Sequence, residues 1–143
     1  LSMGGVICTD RREIAADDFF CGLFTTALEP DELLMGVRFA PATQAHYLKF
    51  EQPASRFAMV GVAVVKQAAS VRVALTGLGH GVTRWPEAES ILTTNFSPDA
   101  LADIQLDAEL ATGDLHASAG YRAHLAGVLA RRAVKQALTF YAA

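Results

Sequence analysis

The stretch Tyr47–Lys66, YLKFEQPASRFAMVGVAVVK, decides how the rest of the chain is read. It opens with an aromatic residue and a lysine, passes through the polar turn Gln52-Pro53-Ala54-Ser55-Arg56, and then becomes almost wholly apolar. From Phe57 to Val65 both alternating sets are apolar: Phe57, Met59, Gly61, Ala63 and Val65 on one face, Ala58, Val60, Val62 and Val64 on the other. A short, Val-rich run that is apolar on both faces predicts a strand buried on both sides. Gly61 within it marks either a bulge or a place where something approaches the backbone closely. The turn carries Arg56 between Phe50 and Phe57. A polar turn feeding directly into a core strand is where a rigid scaffold presents a functional loop. A plain solvated connection is the competing reading.

The segments on either side follow from this strand. Downstream, Gln67-Ala68-Ala69-Ser70 turns the chain into Val71–Thr76, whose Val71, Val73 and Leu75 alternate with smaller or polar residues. Two strands joined so briefly predict an antiparallel hairpin. Upstream, His46–Phe50 is β-prone, and Leu33–Phe39 alternates up to Pro41. Thr25–Glu32 reads as a loop, since Pro30 disfavours a helical Glu29. Val6-Ile7-Cys8 predicts a short strand, and Ala15–Phe20 a helical turn with Asp17-Asp18 near its start. After Thr76 the character turns helical. Pro86 suits a first helical position, with Glu87 and Glu89 at the positive end, in a helix to about Thr93. Ser97-Pro98-Asp99 repeats the signal for a short helix near Asp99–Ile104, and Ser118 caps a long run from Ala119 to Tyr141. In that run Tyr121, Leu125, Val128, Leu129, Val134, Leu138 and Tyr141 form the expected buried stripe, with Arg131, Arg132 and Lys135 turned away. Strands first and helices after make the class α+β: a small antiparallel sheet backed by C-terminal helices.

The totals narrow the function classes. A chain of 143 residues suits one domain, or a small domain with a piece of another, and 52% apolar residues supply a core without metal or disulfide. A net charge of −3 with no basic block speaks against nucleic acid. Cys8 and Cys21 lack CxxC spacing and read as free, buried thiols of a reducing cytosol. No apolar run reaches the roughly 18 to 20 residues of a membrane span. Leu1–Gly5 lacks the features of a signal peptide and is taken as a remnant outside the fold.

No constellation makes a self-contained active site. Gly77-Leu78-Gly79-His80-Gly81 follows a strand, but GxGxxG fails at Val82 and the next helix starts only at Pro86, so it reads as a tight strand exit. Asp114-Leu115-His116 holds two potential metal ligands, yet reads as a polar loop before the last helix. No serine sits in a GxSxG elbow, neither cysteine has a neighbouring base, and Asp17 and Asp18 point to opposite sides of any regular element.

Five blocks in order carry a resemblance: Leu23-Phe24-Thr25-Thr26-Ala27-Leu28, Glu32-Leu33-Leu34, Tyr47-Leu48-Lys49-Phe50, Ser55-Arg56-Phe57-Ala58, and Tyr121-Arg122 with Arg131-Arg132-Ala133. Together, over about Arg12 to Leu138, they resemble the C-terminal half of the FAD-binding (medium) subunit of molybdenum hydroxylases, nearest the aerobic carbon monoxide dehydrogenase type. The resemblance implies that residues 1–41 are the strand–helix–strand end of an FAD-binding lobe and residues 42–143 the flavoprotein C-terminal domain. It implies a cytoplasmic oxidoreductase in which electrons pass from a molybdenum site through iron–sulfur clusters to FAD and an acceptor. FAD then belongs to the complete subunit and is not retained, or only weakly held, by this chain, which alone is not catalytic. The implied partners are an N-terminal FAD-binding half, the iron–sulfur and molybdenum subunits, and a second copy of the chain through an exposed apolar patch. The implied flavin contacts are Leu34, Lys49 and Arg56, although the chain has Ala58 and Met59 where relatives carry acids. A stand-alone assembly module that docks other subunits without flavin is the alternative.

Overall fold

In the computed structural model the described residues are 1–79 and 81–140. His80 of the glycine-rich exit and Tyr141 of the predicted helical stripe lie outside them.

The first part of the chain forms β1 (Val6–Thr9), β2 (Glu13–Ala15), α1 (Ala16–Phe19), β3 (Phe20–Gly22), β4 (Thr25–Thr26) and β5 (Leu34–Arg38). β1 is the centre of a three-stranded antiparallel sheet in the order β2-β1-β5, and β3-β4 make a separate two-stranded hairpin. Ile7, Ile14, Ala16 and Phe19 bury a small core of their own, which Leu1, Ala27 and Leu28 complete. Leu1–Gly5, set aside in the sequence reading, takes part in the packing: Gln67 donates to the Met3 carbonyl at 3.2 Å and Arg72 to the Leu1 carbonyl at 3.2 Å. Cys8 is half-buried and Cys21 exposed, both free, so the expected burial of the thiols does not hold. Thr25-Thr26, read as loop, pairs with β3.

The rest of the chain forms β6 (Gln44–Glu51), β7 (Ala58–Gln67), β8 (Ser70–Thr76), β9 (Thr83–Arg84), α2 (Pro86–Thr94) and α3 (Ala119–Phe140). These strands make a four-stranded antiparallel sheet in chain order. Gln67 faces Ser70 across a two-residue turn, the predicted hairpin. Val60, Val62 and Val64 of β7 and Val73 and Leu75 of β8 point to the helical side and are fully buried, in one core with Ala126, Ala130, Ala133 and Val134 of α3 and Ala88 and Leu92 of α2. The face of α3 that meets the sheet is thus mostly alanine, which lets the helix lie close to the strands. Tyr121 and Leu138, assigned to the buried stripe by size, instead face solvent. Phe57, assigned to the core, is 78% exposed because it still belongs to the turn. The helix starts are as predicted. Pro86 opens α2, and Ser118 Oγ accepts from the Tyr121 N–H at 3.2 Å. The Ser97-Pro98-Asp99 signal produces only a 3₁₀ turn, Pro98–Leu101, with Ser97 Oγ accepting from Ala100 at 3.2 Å.

A set of ion pairs joins the two parts. Asp17 at the start of α1 accepts from Arg72 of β8 at 2.9 and 3.0 Å and lies 3.5 Å from Arg84 of β9. Arg84 also grips the buried Glu89 of α2, whose carboxylate accepts the Val73 N–H at 2.9 Å.

Gly77 closes β8 with φ +77°, and a Cβ there would collide with the carbonyl of Met59. Gly79, two residues on, has open space around it. Gly77→Ala is expected to destabilise the fold by about 2 kcal/mol or more, and Gly79→Ala by no more than about 0.5 kcal/mol, in urea unfolding.

Candidate functional site

β6 delivers Lys49 directly opposite Gly61 of β7, and the register slips one residue later, between Phe50 and Glu51. That bulge re-aims the chain into the turn. The turn closes on itself: the Gln52 N–H donates to the Phe57 carbonyl at 2.8 Å, and the Arg56 N–H to the Gln52 carbonyl at 2.8 Å. Arg56 adopts φ +62°, left-handed backbone that a non-glycine residue holds only under constraint. Part of that constraint is Lys49, whose Nζ donates to the Arg56 carbonyl at 3.0 Å. Glu51 completes the group, 3.4 Å from Lys49 and 3.3 Å from the Arg56 guanidinium. The hydrogen bond from Arg56, then that from Lys49, holds the Glu51 carboxyl below its usual range. Two cations and one anion leave the turn with a single excess positive charge.

Of the three residues implied as flavin contacts, the structure therefore joins Lys49 and Arg56. Leu34 lies in the other sheet, in register with Thr9 of β1, with its side chain half exposed.

Behind the turn is a cleft of about 420 Å³ between Gln52, Ser55 and Phe57 on one side and Asp114 and His116 on the other, with Arg122 at its base. Gln52 Nε2 lies 3.0 Å from His116 Nδ1, and Gln52 Oε1 accepts from the Ala54 N–H at 3.0 Å. Arg122 is buried. Its Nη1 donates to the carbonyls of Met59 at 2.6 Å and Gly77 at 2.8 Å, and its Nη2 to Asp114 at 2.6 Å. Asp114 also accepts the N–H groups of His116 and Ala117. The His116 N–H, Arg122 and the Ala117 N–H together pull its carboxyl down to about 2. Its oxygens are thus committed to the loop, and among the described residues no three His, Cys, Asp or Glu side chains are placed to hold a metal. The role of Arg122 was not read from the sequence. Beyond its place in a resemblance block, the sequence signals it by position: Arg122, Ala126, Leu129 and Ala133 share a face, so a cation sits in an apolar stripe.

A second hollow of about 560 Å³ lies between the β3–β4 hairpin, including Phe20, Phe24 and Thr26, and the exit of β8 at Thr76 and Gly77. Thr76 faces Gly61, which faces Lys49, so this hollow opens on the same side of the sheet as the lysine.

Residues 45–137 match the family model described as CO dehydrogenase flavoprotein C-terminal domain. The chain is 31% identical over 137 residues to the nicotine 6-hydroxylase medium subunit of Paenarthrobacter nicotinovorans, covering 89% of this chain and 48% of that protein. It is 30% identical over 139 residues to the carbon monoxide dehydrogenase medium chain of Hydrogenophaga pseudoflava, with the same coverage of 89% and 48%. The chain thus spans about half the length of the curated relatives it matches. The crystal structure of quinoline 2-oxidoreductase from Pseudomonas putida 86 superposes with a TM-score of 0.78 at 22% identity, over 97% of this chain and 54% of that one. That likeness is one of fold.

Asp114 makes the cleft loop acid-sensitive. Its folded carboxyl lies at about 2 against 3.8 for a free aspartate, so its contribution is complete above pH 3.8 and is lost as the pH falls through about 2. Glu32, held by Arg12 and also lowered to about 2, titrates in the same window. Urea midpoints measured from pH 7 to pH 2 are expected to show a shallower acid limb for Asp114→Asn than for the wild type, with the Glu32 share remaining.

Proposed function

This chain belongs to the CO dehydrogenase flavoprotein C-terminal domain family, and on that footing we propose that it is the C-terminal half of an FAD-containing electron-transfer subunit of a molybdenum hydroxylase. When bound, the flavin accepts electrons from iron–sulfur clusters and passes them to an external acceptor. In this reading the complete subunit is cytoplasmic and works with iron–sulfur and molybdenum subunits. The chain's own part is to shape and charge one side of the flavin site.

The observation that carries the proposal is the ordering of Lys49. Its ammonium is pinned by the Arg56 carbonyl and Glu51 at the mouth of a bulged turn, facing away from the helices. A cation fixed in this way attracts the negative charge that a flavin gains on reduction. The chain fits only the flavin end of FAD. Its described helices begin after Ala15, Trp85 and Ser118, none on a glycine-rich loop of the kind that cradles a pyrophosphate. The diphosphate then falls to an N-terminal FAD-binding half. We place the boundary of the two lobes near Pro41, in keeping with two separate hydrophobic clusters drawn from either side of it. Leu33, Met35, Val37 and Phe39 on one face of the β5 segment and Leu34 on the other are all exposed, which suits an element that the preceding half covers or that pairs with a second copy.

The test is reconstitution. Alone, the chain is expected to retain no stoichiometric flavin. Mixed with the N-terminal half of the subunit, it is expected to hold one FAD per complex, and Lys49→Ala to weaken that binding by about 3- to 10-fold. A complex that forms without taking up FAD would favour a docking module, and an unaltered affinity in Lys49→Ala would remove the lysine from the site.

A further inference from the structure

The face of the sheet that carries Lys49 holds two hydroxyl groups with no role in the fold. Tyr47 and Lys49 are neighbours on one side of β6, and Lys49, Gly61 and Thr76 stand in one row across β6, β7 and β8. Gly61 leaves a notch in that row. A Cβ built on it would lie 2.5 Å from the Tyr47 hydroxyl and 2.5 Å from Thr76 Oγ1, so both oxygens converge on the bare backbone there. Elsewhere in the fold Ser97, Ser118 and Thr112 use their hydroxyls to hold loops or helix starts. The Tyr47 and Thr76 side chains, in contrast, hydrogen-bond to no described residue, while Tyr47 is half exposed and Thr76 lines the 560 Å³ hollow beside the β3–β4 hairpin.

We infer that Tyr47 and Thr76, brought together over Gly61, form a hydroxyl platform that hydrogen-bonds the polar edge of the flavin ring beside Lys49. The inference rests on the functional reading above and assigns to that site two residues beyond Leu34, Lys49 and Arg56. Its chemistry is specific. The pyrimidine edge of an isoalloxazine alternates carbonyl and nitrogen acceptors with an N–H donor. A hydroxyl both donates and accepts, so two adjacent ones match such an edge whichever way it is presented. An ammonium alone serves only the acceptors. Glycine at position 61 is then a requirement of the platform, because any side chain there displaces both oxygens at once. The hollow beside it falls within the size range of small-molecule sites.

The platform can be tested without disturbing the lysine. Tyr47→Phe and Thr76→Val each remove one hydroxyl and keep the shape. Gly61→Ala pushes both aside, and the Tyr47 oxygen, at the end of a half-exposed side chain, has room to move. Each variant is assembled with the N-terminal half and titrated with FAD, following the dissociation constant by flavin fluorescence and the position of the visible absorption bands. The expected result is a 3- to 10-fold weaker affinity for each single hydroxyl variant, about what one neutral hydrogen bond contributes. Gly61→Ala should lose at least as much, with shifted bands and a thermal midpoint close to wild type. Wild-type affinity and spectrum in all three variants would overturn the platform and leave the flavoprotein reading standing. Failure of the wild-type assembly to bind FAD at all would overturn both.

Discussion

The guanidinium of Arg122 is the contact on which the geometry of the site depends. It reaches from the first turn of α3 to the carbonyls of Met59 and Gly77 and to the carboxylate of Asp114. Those groups belong to the start of β7, the end of β8 and the loop before α3. One buried cation therefore ties the loop before α3 to the paired ends of β7 and β8. Charge-assisted bonds of this kind are about twice as strong as neutral ones. The turn Gln52–Phe57 is anchored to the same unit, because Met59 follows it directly and Gln52 meets His116 across the cleft. Gly77 takes its left-handed conformation where Arg122 holds its carbonyl. Lys49 and Arg56 project from a frame that this arginine locks.

A second electrostatic junction relates the frame to the start of the chain. Asp17 sits between Arg72 and Arg84, and Arg84 passes the connection on to Glu89 in α2. The partners come from α1, β8, β9 and α2, so the small N-terminal sheet is tied to the side of the large sheet away from α3. The exposed apolar residues of β5 and the tip of the β3–β4 hairpin, where Phe24 is 100% exposed, lie beyond this junction. Paired arginines thus tie the large sheet to its surroundings on both sides, Arg122 beneath α3 and Arg72 with Arg84 on the other.

What could be read from the sequence follows the range of the interactions concerned. β7, the β7–β8 hairpin and the starts of α2 and α3 rest on local signals: Val-rich periodicity, a two-residue turn, Pro86, Ser118. These were legible. β2, β3, β4 and β9 are two or three residues long, too short for a period-2 pattern to stand out even though each pairs with the strand next to it in the chain. The buried face of α3 was misassigned for a related reason. Side-chain size suggested Tyr121 and Leu138, whereas close approach to a valine sheet selects alanines. Phe57 was taken as core because its neighbours are apolar, but the bulge at Glu51 extends the turn through it. The pairing of Lys49 with the Arg56 carbonyl is short-range, while the Gln52–His116 and Met59–Arg122 contacts span more than sixty residues. Half of the candidate site was thus visible in one stretch, and the other half appears only when α3 closes over the sheet.

In the proposed reading, one side of a flavin ring lies against the outer face of β6–β8, at Lys49. A crystal structure of the chain assembled with the N-terminal half and FAD tests it most directly. The expected structure has the ring's polar edge within hydrogen-bonding distance of Lys49, above the Tyr47–Gly61–Thr76 row, with the diphosphate held wholly by the partner half. A flavin ring enclosed by the partner half alone, with Lys49 still bound only to Glu51 and the Arg56 carbonyl and solvent over Gly61, would contradict it.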